Sequence, residues 1–271
     1  MRQHDNIKPT KAVIFIKHYE QLLKIGCFTW EELCVVVGNP NAADTLARNY
    51  IKKGYIQSVR RGLYVAVDLA TGESAVNKFR IAGKATPTSY VSHHAAFEYY
   101  GCANQVSYQV EVSSNTAFSS FEYSGITYAY IGSRINEGII KQPDGVRVTD
   151  AERTVLDGIH DFEKIMGLEE LLRCLGLMPM IKEDRLLTYL ALYDKQILYQ
   201  KAGYILWHFR DIWNLSDSFF TACESRIGKS KRYLYKTAMR AEMEYNRRWQ
   251  LVTPHDLMKM TSKGVNFNAD I

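Results

Sequence analysis

The chain has 271 residues, of which 46% are hydrophobic and 23% are charged, so a sizeable core is expected and a largely disordered protein is excluded. No apolar run reaches the ~18 residues of a membrane helix, and the N-terminus lacks a signal peptide's apolar segment, so we expect no membrane partner. The net charge of +5 is concentrated, because residues 1–70 hold ten Lys/Arg and six Asp/Glu, and residues 226–248 hold eight and two. Two basic regions favour a nucleic-acid partner.

The five cysteines are scattered along the chain and form no Cys-x-x-Cys pair. An odd number of separated cysteines is typical of reduced thiols, which predicts a cytoplasmic protein without a zinc site. We also expect no cofactor, because the sequence has no Walker loop, no Gly-x-Ser-x-Gly elbow and no dinucleotide fingerprint.

Two helices are predicted in the first forty residues. The first lies in KAVIFIKHYEQLLKIG, where apolar residues recur with the spacing of one helical face. Those residues are Ala12, Ile16, Tyr19 and Leu23. The second helix is short, begins at a capping box formed by Thr29 and Glu32, and ends at Gly38.

A third helix is predicted in NPNAADTLARNYIKKG, with Asn39 as its N-cap, Pro40 in its first position and Gly54 beyond its end. The residues expected to pack inward are Leu46, Tyr50 and Ile51. The residues expected to form a polar stripe on the opposite side are Asn41, Thr45, Arg48 and Lys52, flanked by Asn49 and Lys53. These side chains suit base edges and phosphates, although Asp44 on the same helix would repel phosphate if it faced DNA.

The next segment, GYIQSVRRGLYVAV, predicts a β-hairpin with Gly62 as the left-handed residue of its turn. Arg60 and Arg61 at the tip exceed what the turn requires. The predicted elements therefore follow the order of a winged helix-turn-helix, which is a helix, a short helix, a third helix and a hairpin. In that fold the third helix lies in a major groove of DNA. In this interpretation the hairpin is the wing, and its arginines reach the DNA backbone or a minor groove. The alternative is a small helical domain whose polar stripe is only solvated, or a winged helix that binds protein.

The apolar pattern is interrupted at residues 67–75, which we interpret as a hinge. We therefore predict an α+β protein with a winged helix-turn-helix domain over residues 1–70 and a larger mixed α/β domain, rich in helix, over residues 71–271. The second domain is expected to mix strands and helices to about residue 160 and to be mostly helical after it. A late strand is predicted in RRWQLV.

Three motifs that follow the predicted helix-turn-helix in order resemble the AbiEi antitoxin family of the AbiE abortive-infection system. They are GYIQSVRRGLYVAV, YVSHHAAFEYYG and VTDAERTVLDGI, and the late NRRWQLVTP agrees with them. The resemblance extends over nearly the whole chain, although the helical stretch 183–228 does not map onto the family.

The resemblance implies a bacterial phage-defence protein with two roles. Its winged helix would bind inverted repeats in the promoter of its own operon and act as a transcriptional repressor. Its C-terminal domain would counteract a nucleotidyltransferase-like toxin, with or without a stable complex, as in a type IV toxin–antitoxin system. The residues that we expect to contact DNA are Asn41, Thr45, Arg48, Asn49, Lys52, Lys53, Arg60 and Arg61. No catalytic residue is expected, and the protein is not predicted to be an enzyme.

Neither histidine of the His93-His94 pair is predicted to bind metal. Ser92 is a natural N-cap for the helix that they begin, and adjacent helical side chains point about 100° apart. The chelate-like spacing of His94 and Glu98 lacks the rest of a zinc signature.

Asp150, Glu152 and Asp157 form an acidic set that a metal-dependent nuclease could use. Thr149 and Glu152 also have the spacing of a capping box, and Arg153 and Asp157 that of an i,i+4 ion pair, so we interpret the set as structural.

Two alternatives to the antitoxin hypothesis stay open. One is a stand-alone winged-helix regulator without a toxin partner, which the neighbouring genes would distinguish. The other is a metal-dependent nuclease or phosphotransferase that uses Glu152 and Asp157, with His94 as a third candidate. The basic segment 226–248 could contact DNA, a toxin or tRNA, but we favour a solvated helix face.

Overall fold

The computed structural model describes residues 17–235 and 243–262. The protein belongs to the mixed α+β class, and its chain divides into two compact units, Met1–Val76 and Asn77–Ile271. Among the described residues, no helix is both long enough and apolar enough to cross a membrane.

The described part of the first unit contains three helices and one three-stranded sheet. In chain order the elements are α1 (Tyr19–Ile25), β1 (Cys27–Thr29), α2 (Trp30–Val37), α3 (Pro40–Lys52), β2 (Ile56–Arg60) and β3 (Leu63–Ala66). The order across the sheet is β1-β3-β2, and both strand pairs are antiparallel. The predicted hairpin is therefore confirmed, and its outer neighbour β1 is a strand that the sequence did not reveal.

The predicted capping box of α2 is confirmed. The Thr29 side chain accepts a hydrogen bond from the Glu32 N–H, and the Glu32 carboxylate accepts one from the Thr29 N–H. These two bonds satisfy donors that the first turn of a helix leaves unpaired. At the other end, Gly38 ends α2 with a φ of +83°, which a residue with a Cβ rarely adopts.

The start and end of α3 also follow the sequence. Asn39 Oδ1 accepts hydrogen bonds from the N–H groups of Asn41 and Ala42, and Pro40 is the first helical residue. Gly54, with a φ of +74°, stands just beyond the C-cap. Only two residues separate α2 from α3, so a tight turn connects the two helices.

The apolar faces of the three helices and the sheet form one core. Its buried members are Tyr19, Leu22, Phe28, Leu33, Ala43, Ala47, Tyr50, Ile56 and Ala66. Leu46 and Tyr50 pack there as predicted, but the prediction for Ile51 is wrong, because this side chain is 43% exposed. One residue beyond the buried Tyr50, it points about 100° away from the core. The predicted inward positions Ala12 and Ile16 lie outside the described residues.

Residues 67–76 are hydrogen-bonded to the first unit. Val67 forms an isolated antiparallel bridge with Ser74, and the Ala75 N–H donates to the Ala66 carbonyl at 2.9 Å. The segment that we interpreted as a hinge is thus a closed loop, and the first unit continues to Val76.

The first half of the second unit contains two short helices and six strands. Its elements are α4 (Lys78–Ala82), β4 (Tyr90–Val91), α5 (His93–Tyr99), β5 (Gln109–Ser114), β6 (Phe121–Tyr123), β7 (Ile126–Gly132), β8 (Ile139–Lys141) and β9 (Arg147–Thr149). The six strands form one mixed sheet in the order β6-β7-β5-β4-β9-β8, in which β5 pairs with β7 and β4 with β9 in parallel.

The second half of this unit is mostly helical. Its elements are α6 (Ala151–Ile165), α7 (Gly167–Leu177), α8 (Glu183–Tyr193), α9 (Gln196–Trp207), α10 (Arg210–Trp213), α11 (Asp217–Ser225), β10 (Arg232–Tyr233), β11 (Met243–Asn246), β12 (Leu251–Pro254) and α12 (Lys259–Ser262). α6 is central, and its residues Val155, Leu156 and Ile159 are all fully buried.

The basic segment 226–248 differs from our expectation of a helix face. Its described part forms β10 and β11, which flank β12 in a small sheet of order β10-β12-β11. The late strand predicted in RRWQLV is present, although it begins at Leu251 and runs to Pro254.

Candidate nucleic-acid interface

The exposed side of α3 carries every residue that the sequence assigned to it. The exposed residues are Asn41, Thr45, Arg48, Asn49, Lys52 and Lys53. The Thr45 hydroxyl donates a hydrogen bond to the Asn41 carbonyl at 3.1 Å, so its oxygen keeps its ability to accept bonds from outside the helix. This face therefore offers an amide and a hydroxyl near the N-terminal half of α3 and cationic groups towards its C-terminus.

Asp44 forms an ion pair with Arg48 one helical turn further on. The two side chains are 46% and 77% exposed, so the pair is solvated and contributes roughly 0.3–0.5 kcal/mol. The pairing offsets the negative charge of Asp44 on this face, and it leaves Arg48 able to exchange its carboxylate partner for another anion.

The hairpin tip places the two arginines in different environments. Gly62 has a φ of +76°, which confirms the predicted left-handed turn residue. The pairing of β2 with β3 shifts register between Ser58 and Arg60, so the tip contains a bulge. Arg60 ends β2 and is half-buried, whereas Arg61 is exposed in the turn.

Backbone bonds hold the hairpin tip beside the start of α2. The Trp30 N–H donates to the Gly62 carbonyl at 2.9 Å, and β1 pairs with β3 from Cys27 to Thr29. At the base of the hairpin, the Tyr55 N–H donates to the Tyr50 carbonyl at 2.9 Å, which ties β2 to the end of α3. The tip and α3 are thus both fixed to the same small core, as a surface that recognises a rigid duplex requires.

Five of the six charged side chains between Asn39 and Gly62 are basic. Such a surface can contact phosphates through its cations and base edges through its amide and hydroxyl groups. Of the eight predicted residues, five lie on α3, Lys53 is its C-cap residue, and two lie at the hairpin tip of the same unit.

The acidic set proposed for an enzyme is divided among separate ion pairs and hydrogen bonds. Glu152 accepts a hydrogen bond from the Lys182 N–H at 3.0 Å and lies 3.5 Å from the Arg185 guanidinium. Asp157 pairs with the buried Arg153 at 3.2 Å and accepts a hydrogen bond from Tyr193. Burial of Arg153 opposes its charge, but the Asp157 carboxylate raises the pKa of Arg153 above its usual range.

The capping box predicted for Thr149 and Glu152 is wrong. Asp150 is the N-cap of α6 and accepts a hydrogen bond from the Arg153 N–H at 2.8 Å. Thr149 ends β9, and its hydroxyl lies 2.8 Å from that of Thr154. The i,i+4 ion pair of Arg153 and Asp157 is confirmed. These contacts account for the acidic set as part of the packing of α6.

The histidine pair is buried in a way that the sequence did not predict. Ser92 stands at the N-cap of α5 but makes no capping bond, because its hydroxyl lies 2.8 Å from His93 Nδ1. His93 Nε2 is 3.3 Å from Asp161 Oδ2. Glu98, which has a chelate-like spacing from His94 in the sequence, pairs with Lys78 at 2.6 Å instead.

His94 contacts α7 instead, at two residues that sequence reasoning missed. Its Nε2 atom lies 3.3 Å from Glu170 Oε1, and Cys174 Sγ lies 3.5 Å from the same oxygen. The signal was the i,i+4 spacing of Glu170 and Cys174 in ELLRC, but only the tertiary fold brings His94 to them. Burial and the neighbouring Glu170 raise the pKa of the Cys174 thiol.

No model of a known protein family matches this chain, and no curated protein matches it. Among solved structures, it is similar to the RV2827C protein from Mycobacterium tuberculosis, with a TM-score of 0.61 and 12% sequence identity. The match covers 91% of this chain and 93% of the mycobacterial chain. At this identity the similarity shows that the two proteins share a fold over most of their length.

Proposed function

We propose that this protein is a DNA-binding transcriptional regulator of the AbiEi antitoxin type. In this proposal the first unit is a winged helix-turn-helix, α3 is its recognition helix and the β2–β3 hairpin is its wing. The observation that carries the proposal is the combination of an exposed polar and basic face on α3 with two arginines at a hairpin tip fixed to the same core.

The mechanism would be steric and would involve no covalent chemistry. Asn41 and Thr45 would contact base edges from the N-terminal half of α3, where recognition helices usually read sequence. Lys52 and Lys53 would contact phosphates and supply affinity that depends on salt. Bound to inverted repeats in its own promoter, the protein would block transcription in the cytoplasm.

The antitoxin role is supported by the three motifs that resemble the family. They lie in the β2–β3 hairpin, across β4 and α5, and from the end of β9 into α6. The partner would be a nucleotidyltransferase-like toxin encoded beside this gene. Co-expression with the adjacent gene tests this role. Growth that is arrested by the neighbour alone and restored by the full chain would support it, and arrest that persists with folded protein present would contradict it.

The test of the DNA-binding role compares two kinds of contact. Full-length protein is titrated into labelled DNA from upstream of its own gene and into random DNA of equal length. The double variant Asn41→Ala/Thr45→Ala should lose about 1–3 kcal/mol of affinity for the upstream DNA and little for random DNA, because base contacts discriminate sequence. Lys52→Ala should weaken binding to both DNAs equally.

Lys24→Ala is the matched control, since Lys24 is an exposed lysine on α1 of the same unit. It should change neither affinity. Equal affinities of the wild type and the Asn41/Thr45 variant for the upstream DNA would remove α3 from the recognition surface.

A further inference from the structure

Three side chains that commonly bind transition metals meet inside the second unit. His94 extends from α5, and Glu170 and Cys174 extend from α7. All three are buried, and one donor atom from each lies within 4.8 Å of the other two. None of them takes part in the proposed DNA interface, which lies in the first unit.

Two of the three distances between their donor atoms match those of a tetrahedral site. Zinc bonds of about 2.0–2.3 Å place two ligand atoms about 3.3–3.6 Å apart at a tetrahedral angle. The observed distances are 3.3 Å from His94 Nε2 to Glu170 Oε1 and 3.5 Å from Cys174 Sγ to the same oxygen. The i,i+4 spacing on α7 keeps Glu170 and Cys174 on one helical face. Their side chains would therefore need only small movements to bind one ion together with His94.

The Glu170 carboxylate provides an independent sign of a ligand. The N–H groups of Asn104 and Gln105 donate to its Oε1 atom at 3.0 and 3.1 Å and fix its position. Its Oε2 atom is buried and has no hydrogen-bond partner among the residues that the structure describes. A buried carboxylate oxygen without a partner is costly, and a cation between the three side chains would offset that cost.

A cavity gives two members of this cluster, His94 and Glu170, access to solvent. It has a volume of about 160 Å³ and is lined by His94 and Glu170 together with Gln105 and Ser107. That volume is enough for several water molecules, so one water could complete the coordination of an ion held by three protein ligands.

We propose that His94, Glu170 and Cys174 bind a divalent transition metal of the zinc class, with a water from the cavity as the fourth ligand. One imidazole, one carboxylate and one thiolate favour such an ion over Mg²⁺ or Ca²⁺, which prefer oxygen ligands only. The ion would cross-link α5 to α7. This proposal departs from our expectation, based on the sequence, that the chain binds no metal.

The test uses full-length protein that has been purified under reducing conditions and stripped of metal. Titration with Co²⁺ should produce the visible absorption of a tetrahedral cobalt site and a near-ultraviolet band from the cobalt–thiolate bond. Added Zn²⁺ should abolish both bands and raise the melting temperature, because the ion binds the folded state preferentially.

Cys174→Ser should remove the thiolate band and the stabilisation by Zn²⁺. His94→Gln keeps the thiol but should weaken Zn²⁺ binding by more than the roughly 10–100-fold that loss of a residue supporting a metal ligand costs. Cys223→Ser is the matched control, because Cys223 is an equally buried thiol in the same unit and should leave both signals unchanged.

Circular dichroism of each variant establishes that it is folded, and His94→Gln decides the question if Cys174→Ser does not fold. The absence of cobalt bands in folded wild-type protein would overturn the proposal. So would cobalt bands that survive in both Cys174→Ser and His94→Gln, or that disappear in Cys223→Ser.

Discussion

At the tip of the β2–β3 hairpin, Arg60 and Arg61 have different freedom to reach an anion. Arg60 belongs to β2, pairs with Leu63 of β3 and is half-buried, so the sheet restricts the conformations of its side chain. Arg61 is exposed in a two-residue turn whose backbone is fixed by Gly62. In the winged-helix proposal, both side chains contact the DNA backbone on the flank of the site.

Replacing both arginines with alanine should weaken binding to every DNA sequence and flatten its salt dependence. Each lost phosphate contact lowers the slope of log K against log salt by about 0.9, so the double variant should lose roughly 1.8. Lys17→Ala/Lys24→Ala removes the same charge from exposed positions elsewhere in the unit and serves as control. A slope in the Arg60/Arg61 variant equal to that of the wild type would exclude the hairpin tip from the interface.

Asp161 is a buried carboxylate of the second unit with several cationic or hydrogen-bonding neighbours. Burial alone would raise the pKa of Asp161, but the imidazoles of His160 and His93 and the guanidinium of Arg134 hold this pKa well below its usual range. Its oxygens lie 2.5 Å from Arg134 and 3.6 Å from the Lys164 ammonium. Its ionised form therefore contributes to the stability of the folded state.

This shift predicts a specific loss of stability in acid. Below about pH 4 the unfolded chain takes up a proton on Asp161 while the folded chain does not, so unfolding becomes easier as the pH falls. Asp161→Asn should be less stable at pH 7 and should lose less of its remaining stability between pH 4 and pH 2.5. The difference in slope should approach one proton, about 1.4 kcal/mol per pH unit. Urea unfolding of the wild type and of Asp161→Asn across this pH range gives the free energy of unfolding of each. Equal slopes of this free energy against pH in the two proteins would contradict the prediction.

At the scale of elements, α9 packs against the segment that precedes β12. Gly203 lies in the middle of α9, and a Cβ added there would stand only 2.0–2.4 Å from ring atoms of Trp249. The Trp249 ring is itself fully buried and packs near Phe220 of α11, so it has no room to move aside. The glycine is needed here for close approach, even though it lowers helix propensity.

Two glycine-to-alanine changes in helices of the same unit should therefore have opposite effects. Gly203→Ala should destabilise the protein by several kcal/mol through overpacking against Trp249, despite a gain in helix propensity of about 1 kcal/mol. Gly176→Ala is the matched change in α7, where a Cβ meets no atom within 4 Å, and it should be neutral or stabilising by about 0.5–1 kcal/mol. Thermal melts compare the two, and equal effects would contradict this view of the α9 packing.

Elements with local signals were predicted correctly, and elements that depend on distant partners were not. The caps at Thr29 and Asn39 act within three residues, so the sequence alone was enough to locate α2 and α3. β8 and β10 have only three and two residues, and their strand character comes from pairing with β9 and β12. Such short segments carry too few residues for a periodic pattern.

The candidate sites show the same limit. The exposed stripe of α3 follows from helical periodicity, but the pairing of Asp44 with Arg48 depends on side-chain rotamers. Glu152 has the spacing of a capping residue, yet it bonds to Lys182, which lies 30 residues away. The neighbours of His94 are more than 70 residues distant, and no local pattern could have identified them.

The whole chain is organised as two units that we expect to fold separately. The first unit includes residues 67–76, because Val67 bridges to Ser74 and Ala75 bonds to Ala66. A fragment that ends at residue 70 would lose these closing bonds. Even residues 1–76 should be only marginally stable alone, because a small domain buries a smaller share of its surface.

In the proposed function DNA binding belongs to the first unit, so the DNA affinity of each unit by itself should be measured. Fragments 1–76 and 77–271 and the full chain are titrated into DNA from upstream of the gene by fluorescence anisotropy at several salt concentrations. We expect fragment 1–76 to bind this DNA more weakly than the full chain does, and to lose affinity when Arg60 and Arg61 are replaced with alanine. We expect folded 77–271 not to bind. Binding by 77–271 with none by folded 1–76 would contradict the proposed function.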